Sequence, residues 1–289
     1  MQIIRKKTFG GERPLFESHD LRLEEVTIEA GESALKECSN IEAVNCRFEG
    51  NYPLWHVHGF KVIDCHFAVG GRSALWYSSQ LLMKNTTIEA PKMFREMQGL
   101  ELENVVIYDA DETFWRCTDI EIRNLELHEG TYPFMFSRNI RIDGLTSDSK
   151  YVFQYVKDVE IRNAKITTKD AFWEVENVTI YDSVLDGEYL GWHSKNLRLV
   201  RCHIAGEQPL CYAKDLVLED CTFSPECDRA FEYSTLRADI RGCITNIKNP
   251  ASGCIEADEI GSVTIDANIK PPADCKIVDR SRLSAGETA

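Results

Sequence analysis

Three stretches of the chain align one beneath another: DIEIRNLEL at Asp119–Leu127, NIRIDGLTS at Asn139–Ser147 and DVEIRNAKI at Asp158–Ile166. Each opens on a residue that tolerates a left-handed backbone. Apolar residues then alternate with polar ones, the period of a strand with one face buried. A second turn residue follows at Asn124, Gly144 and Asn163, and alternation resumes. Asn, Asp and Gly at both breaks supply the chemistry of a sharp corner. A repeat of this length with two such corners is one coil of a solenoid.

Outward from these rows, the first apolar position recurs at Leu21, Ile41, Phe60, Leu81, Leu100, Ile120, Ile140, Val159, Val178, Leu197 and Leu216, in steps of 19 to 21 residues. A looser row begins near Ala238 and a degenerate one near Val263. Six residues before the row start stands a large apolar residue, among them Leu15, Leu35, Phe94, Phe114, Phe134, Phe153, Phe172 and Leu210. The turn residues should stack from coil to coil, as in other Asn ladders. After the second corner comes a small residue: Cys46, Cys65, Ala164, Ser183, Cys202, Cys221 and Cys243. These five cysteines are expected inward, buried and reduced. Replacing one by Ser should cost about 1–3 kcal/mol, because a hydroxyl would be buried with few partners.

The pattern predicts an all-β, right-handed, single-stranded parallel β-helix of about 12 coils with 19–20 residues per coil. The hand follows from the preference of parallel crossovers. One domain over 1–289 is expected, with an N-terminal cap at 1–14, coils over 15–248, a proline-containing cap at 249–280 and a frayed tail at 281–289. The string from Val57 to Phe67 also fits a leucine-rich repeat. The short period, an Asn one place early and strand-like half-coils such as Phe172-Trp173-Glu174-Val175 favour the β-helix.

A net charge of −14 argues against nucleic acid as a partner. No apolar run has the length of a membrane span, and no apolar stretch follows Arg5, Lys6 and Lys7 as a signal peptide requires. With 11 cysteines and no C-x-x-C, the expectation is a cytoplasmic protein with reduced thiols and neither metal nor cofactor.

The strings GGERPLF (Gly10–Phe16), EAPKMFR (Glu89–Arg95), DAFW (Asp170–Trp173), GEYLGW (Gly187–Trp192) and AFEYS (Ala230–Ser234) resemble a bacterial family known as a domain of unknown function. The row pattern is similar to the pectin-lyase-like superfamily of right-handed β-helices. That resemblance implies the fold and, as a class, carbohydrate-active or carbohydrate-binding proteins. It brings no catalytic residues.

All five tryptophans, Trp55, Trp76, Trp115, Trp173 and Trp192, stand five residues before their row starts. The columns before and two places after read as inward, so the chain should bulge between them and turn the Trp column outward. The next column holds Glu17, Glu37, His56, Tyr77, Glu96, Arg116, Tyr155, Glu174, His193 and Tyr212. Rings with interleaved polar groups suit an oligosaccharide. A covered or self-associating surface suits them equally, so a homo-oligomer is the alternative partner. Glu96 and Glu174 lie roughly 19 Å apart at about 4.8 Å per coil, too far for a glycosidase pair. Glu174 and His193, one coil apart, form the acid/base candidate, although a solvated ion pair explains them too. Arg95 and Arg116 beside Glu96 are the basic residues a lyase would have here. Glu17, Glu37 and His56 could also hold a cation. Two functions stay open: a carbohydrate-recognising protein, as binder, hydrolase or lyase, and a non-catalytic scaffold.

Overall fold

The computed structural model describes residues 1–268 and 274–284; Pro271 and Pro272 of the expected cap, and 285–289 of the expected tail, lie outside the described residues. The chain forms two compact units, Met1–Lys150 and Tyr151–Ala289. Both are parallel β-solenoids, together holding about 14 turns where the sequence pattern predicts about twelve.

In Met1–Lys150 the row starts Ile41, Phe60, Leu81, Leu100, Ile120 and Ile140 pair in register, each with the next. In Tyr151–Ala289, Val178 pairs with Val159 and Leu197, and Leu199 with Leu218. Among the described residues, helix is confined to a short turn at Val69–Gly71 and to Arg280–Ser284. The helical half of a leucine-rich repeat is therefore missing.

The extra turns lie where caps were expected. Gln2 pairs with Leu21 and Thr8 with Thr27, so residues 1–14 carry a coil of their own. Beyond Leu216 the ladder continues through Leu236, Gly253 and Cys275, in steps of 20, 17 and 22 residues. Register shifts after Leu218 and after Ile240 explain why the repeat blurs there. They also overturn the placement of Cys243. Ile240, fully buried, stands opposite Cys221 in the inward column, and Cys243 is exposed.

The corners are left-handed as expected. Asp20, Asn40, Asp119 and Asn139 in the first unit, and Asp158, Asn177, Asn196 and Asp215 in the second, have φ of 51–59°. Amides bridge successive coils: Asn104 donates to Asn85 at 3.1 Å, Asn124 to Asn104 at 3.0 Å and Asn196 to Asn177 at 3.0 Å. Gln80 takes the same corner without being Asn, Asp or Gly, at φ 58°. Inside, Phe94, Phe114 and Phe134 stack at 4.4 and 4.5 Å, with ring planes nearly parallel. Phe153 and Phe172 stack at 5.1 Å. At the next coil Gly191 replaces the phenylalanine; a Cβ there would meet Leu210 at 2.9 Å and Leu197 at 3.1 Å, so those leucines fill the space.

Cys46, Cys65, Cys202 and Cys221 are buried as expected. The reason for small polar residues in this column is hydrogen bonding at the corner, where the ladder is interrupted. Each thiol donates to the carbonyl two residues back, as Cys46 to Val44 at 3.3 Å and Cys202 to Val200 at 3.5 Å. Ser183 does the same in the same column, donating to Tyr181 O at 2.6 Å and accepting from Ala164 N at 2.9 Å. A serine here is not short of partners, which removes the ground for a large Cys→Ser penalty. Burial pushes Cys38 up to about 11 and Cys117, Cys211 and Cys227 up to about 12. Those thiols stay protonated and unreactive.

Candidate functional site

The bulge inferred around the Trp column exists, and its cause is backbone conformation. In coil after coil the residue following the Trp position is left-handed: Glu17, Glu37, His56, Tyr77, Glu96, Arg116, Glu174, His193, Tyr212 and Tyr233 have φ of 50–59°. That turn lets the flanking columns both point inward. Phe114 and Cys117, Phe172 and Val175, Leu54 and Val57 are all buried. The Trp side chains between them are half-buried, and most of the following column is exposed.

The rings are not open platforms. Trp55 and Trp76 stack with centroids 5.7 Å apart at 14°, and Trp173 and Trp192 at 5.6 Å and 4°. Ring faces thus turn toward the neighbouring coil and edges toward solvent. Each of these indoles also donates its N–H to a carbonyl of the next coil: Trp55 to Ser73 O, Trp76 to Lys92 O, Trp173 to Tyr189 O and Trp192 to Gln208 O, at 2.6–2.8 Å.

In Met1–Lys150 this aromatic corner neutralises itself. Arg95 stands in the Trp column with its guanidinium 4.4 Å from the Trp76 ring and 5.3 Å from Trp115. It is anchored by Glu112 at 2.9 Å, which also binds Lys92 at 3.2 Å. Lys36 lies over Trp55 and Arg116 over Phe136. His56 approaches Glu37 at 3.8 Å and packs against Tyr77. Arg95 is therefore a structural clamp, not a free base. Glu96 is exposed and has only its backbone N–H tied, to Trp115 O.

In Tyr151–Ala289 the rings multiply. Tyr189 and Tyr212 meet Trp192 edge-on at 5.0 and 5.1 Å. His193 stacks on Tyr212 at 4.8 Å, and Tyr212 on Tyr233 at 5.5 Å. Burial raises the Tyr212 hydroxyl above its ordinary range, helped by Glu232. Glu232 is buried and held by Lys248 at 3.1 Å and Asn249 at 3.3 Å. Asp170, in the coil of Trp173, is held above the usual carboxylate range by burial, with Lys169 acting the other way.

The acid/base couple is not assembled. Glu174 and His193 are exposed, and among the described residues no ion pair joins them; the imidazole stacks on Tyr212 instead. Nor do Glu17, Glu37 and His56 form a cation site: among the described residues no three His, Cys, Asp or Glu side chains converge. An open groove of about 480 Å³ lies on another face of Met1–Lys150, lined by Gln80, Gly99, Glu101, Asp119, Asn139 and Arg141. The sequence reading missed Tyr189, Tyr233, Asp170 and the Glu232–Lys248 pair. Tyr233 was legible only with the correct row length, since Phe231 precedes Leu236 by five residues where Leu210 precedes Leu216 by six.

Residues 2–278 match the family described as protein of unknown function (DUF3737), and the chain belongs to that family. This agrees with the resemblance carried by GGERPLF, DAFW and GEYLGW. No curated protein matches. Among solved structures, a double mutant of the periplasmic alginate epimerase AlgG is similar at 9% identity, with 96% of this chain and 76% of that one covered and a TM-score of 0.34. The A-module of the Azotobacter vinelandii mannuronan C-5 epimerase AlgE4 is similar at 9% identity, with 97% and 87% covered and a TM-score of 0.29. No described helix is long and apolar enough to cross a membrane.

Proposed function

We propose that this DUF3737 member is a carbohydrate-recognising β-solenoid that binds through the aromatic corner and does not catalyse a reaction there. The observation that carries the reading is a row of polar and aromatic side chains, one per coil, beside half-buried indoles: exposed Glu174, His193 and Tyr233 with half-buried Tyr212 in one unit, exposed Tyr77, Glu96 and Arg116 with half-buried His56 in the other. At about 4.8 Å per coil, such a row offers a hydroxyl-bonding group at each step of an extended sugar chain. Tyr edges and tips combine an apolar body with a polar end, as sugar surfaces require. Catalysis is left out because Glu174 and His193 do not meet and the lyase-type base Arg95 is tied up.

A second reading, a scaffold that associates through this corner, has one observation in its favour: the indole faces are taken by each other and by Arg95. The deciding experiment titrates a panel of neutral, amino and acidic oligosaccharides by calorimetry and measures the oligomeric state by sedimentation. Binding that Trp192→Ala and Tyr212→Ala weaken supports recognition. No response to any sugar, together with a dimer dissolved by the same variants, supports the scaffold.

A further inference from the structure

The first left-handed corner of the coils in Met1–Lys150 is occupied by Asp20, Asn40, Gly59, Gln80, Gly99, Asp119 and Asn139. Where side chains follow one another they bond, as Asn40 to Asp20 and Asn139 to Asp119. Gly99 breaks that ladder between Gln80 and Asp119. The groove of about 480 Å³ opens at the break, reaching from Gln80 and Leu82 to Asn139 and Arg141. Its ends are three coil steps apart, about 14 Å at ~4.8 Å per step. The outward column along it is saturated before the groove and open within it. In the preceding coils Glu42 binds Arg22 at 2.6 Å and Lys61 at 2.7 Å. In register beyond Lys61 come Leu82, Glu101, Glu121 and Arg141. Leu82 is a half-buried apolar side chain in an otherwise charged stretch. Glu101, Arg141 and the Gln80 amide have no side-chain hydrogen bond or ion pair among the described residues.

Asp119, on the opposite wall, is fixed in place. It accepts from Asn139 at 2.6 Å and from Gln98 at 2.9 Å, and these bonds hold its carboxyl below the usual carboxylate range. The groove thus joins a fixed acceptor to polar groups whose bonding capacity the fold leaves unused. A molecule that satisfies them must donate to carboxylates, accept from an amide and a guanidinium, and lay apolar surface on Leu82. Hydroxyls on a sugar ring both donate and accept, and the ring's C–H face is apolar. An anionic chain would meet Glu101, Asp119 and Glu121 against the single guanidinium of Arg141. A simple cation would leave Arg141 and the Gln80 donor without partners. We infer that this groove binds a neutral oligosaccharide. The site is separate from the aromatic corner and does not depend on the reading given for it.

The test fills the groove without touching the core. Gly99 has φ 73°, and a Cβ there would come no closer than 3.6 Å to Gln80. Asn adopts this backbone at the same corner in Asn40 and Asn139, at φ 51° and 53°. Gly99→Asn therefore restores a corner side chain and occupies the break. Gly59→Asn adds the same side chain two coils earlier, at a glycine that does not line the groove. Neutral hexaoses of glucose, mannose and xylose, with hexagalacturonate as the acidic counterpart, are titrated into the full chain by calorimetry. Urea midpoints of the variants are measured alongside. At least one neutral hexaose should bind, and hexagalacturonate should not. Gly99→Asn should weaken that binding about tenfold at an unchanged urea midpoint, and Gly59→Asn should not weaken it. Should Gly99→Asn lower the midpoint, Glu101→Ala at an exposed strand position decides, with a several-fold loss expected. Equal losses in the two glycine variants would overturn the inference, as would hexagalacturonate binding as tightly as the neutral sugars. A ligand weakened by Tyr212→Ala and untouched by Gly99→Asn and Glu101→Ala would overturn it while sparing the aromatic corner. Failure of every neutral hexaose to bind would overturn it outright.

Discussion

The corner at Trp55, Trp76 and Trp115 and the corner at Trp173 and Trp192 are built from the same repeat position, yet one is closed chemically and the other is not. In the first, Lys36, Arg95 and Arg116 lie over rings, and Glu112 balances Arg95. In the second, the two indoles meet other rings, the one cation over a ring among the described residues is Lys169 above Tyr189, and Glu174 stands without an ion pair among the described residues. The difference teaches that a periodic aromatic column is not in itself a binding site. What the remaining coils place in that column, Arg95 in one case and buried Cys211 and Glu232 in the other, decides whether the indoles are consumed internally.

The contrast can be tested against the core behind each corner. Phe114→Ala removes the middle ring of a three-ring stack and should destabilise by about 3–5 kcal/mol in urea unfolding. Phe172→Ala, next to the Gly191 gap, should cost less, because Leu210 and Leu197 already reach into that layer. Equal losses would show that the two units differ at the surface alone. Arg95→Ala comes next, at about 2 kcal/mol, since it empties the space between Trp76 and Trp115 and leaves the partly buried Glu112 with Lys92 as its one cation among the described residues. A cost below ~0.5 kcal/mol would refute the clamp.

Cys46→Ser and Cys202→Ser should each cost under about 1 kcal/mol, because the corner carbonyls accept from a hydroxyl as Ser183 shows. A loss of several kcal/mol at either site would restore the view of these thiols as purely apolar filling. Glu174→Gln should leave stability within about 0.5 kcal/mol, as a surface carboxylate without an ion pair does.

The smallest effect is in the pH profile, where one carboxylate of each unit carries the opposite sign. In the first, Lys61 and then Arg22 hold Glu42 below its ordinary range. Its contribution is present above the ordinary carboxylate pKa and is lost as pH falls through the lowered value. In the second, burial holds Asp170 above its ordinary range. Its folded form keeps the proton longer, so the penalty is absent below the ordinary pKa and complete above the raised one. Asp170→Asn should therefore stabilise at neutral pH and give no gain in acid, whereas Glu42→Gln should destabilise at neutral pH and matter less in acid. Matching pH profiles for the two variants would contradict these assignments.

The repeat was legible because burial in a coil imposes strict alternation, and left-handed corners select Asn, Asp and Gly. Even the outward Trp column followed, since two inward columns three residues apart force a bulge. What failed was local. The ends read as caps because Gln2–Glu12 and Ser252–Asp279 lack the strong apolar alternation, yet backbone pairing needs no such signal. Cys243 was misplaced because a one-residue bulge reverses which side faces in. Glu174 and His193 are not joined by an ion pair among the described residues, because adjacency in a column places backbones about 4.8 Å apart without directing side chains at each other. Arg95 as a filler between rings had no sequence signature beyond standing in the tryptophans' column.

The coil-to-coil ladder also bears on how the chain reaches this structure. Every central strand pairs with a partner one coil away, as Ile120 with Ile140. A step of 20 residues in a chain of 289 is 20/289, about 0.07, a relative contact order in the range of helical bundles and well below β-sandwiches. The longest loop to be closed is a single coil, and once one coil is ordered its edge templates the next. Folding should thus spread from a nucleus along each unit, at a speed unusual for an all-β protein, and a destabilised coil should act as a stop for propagation in place of a defect felt throughout the unit.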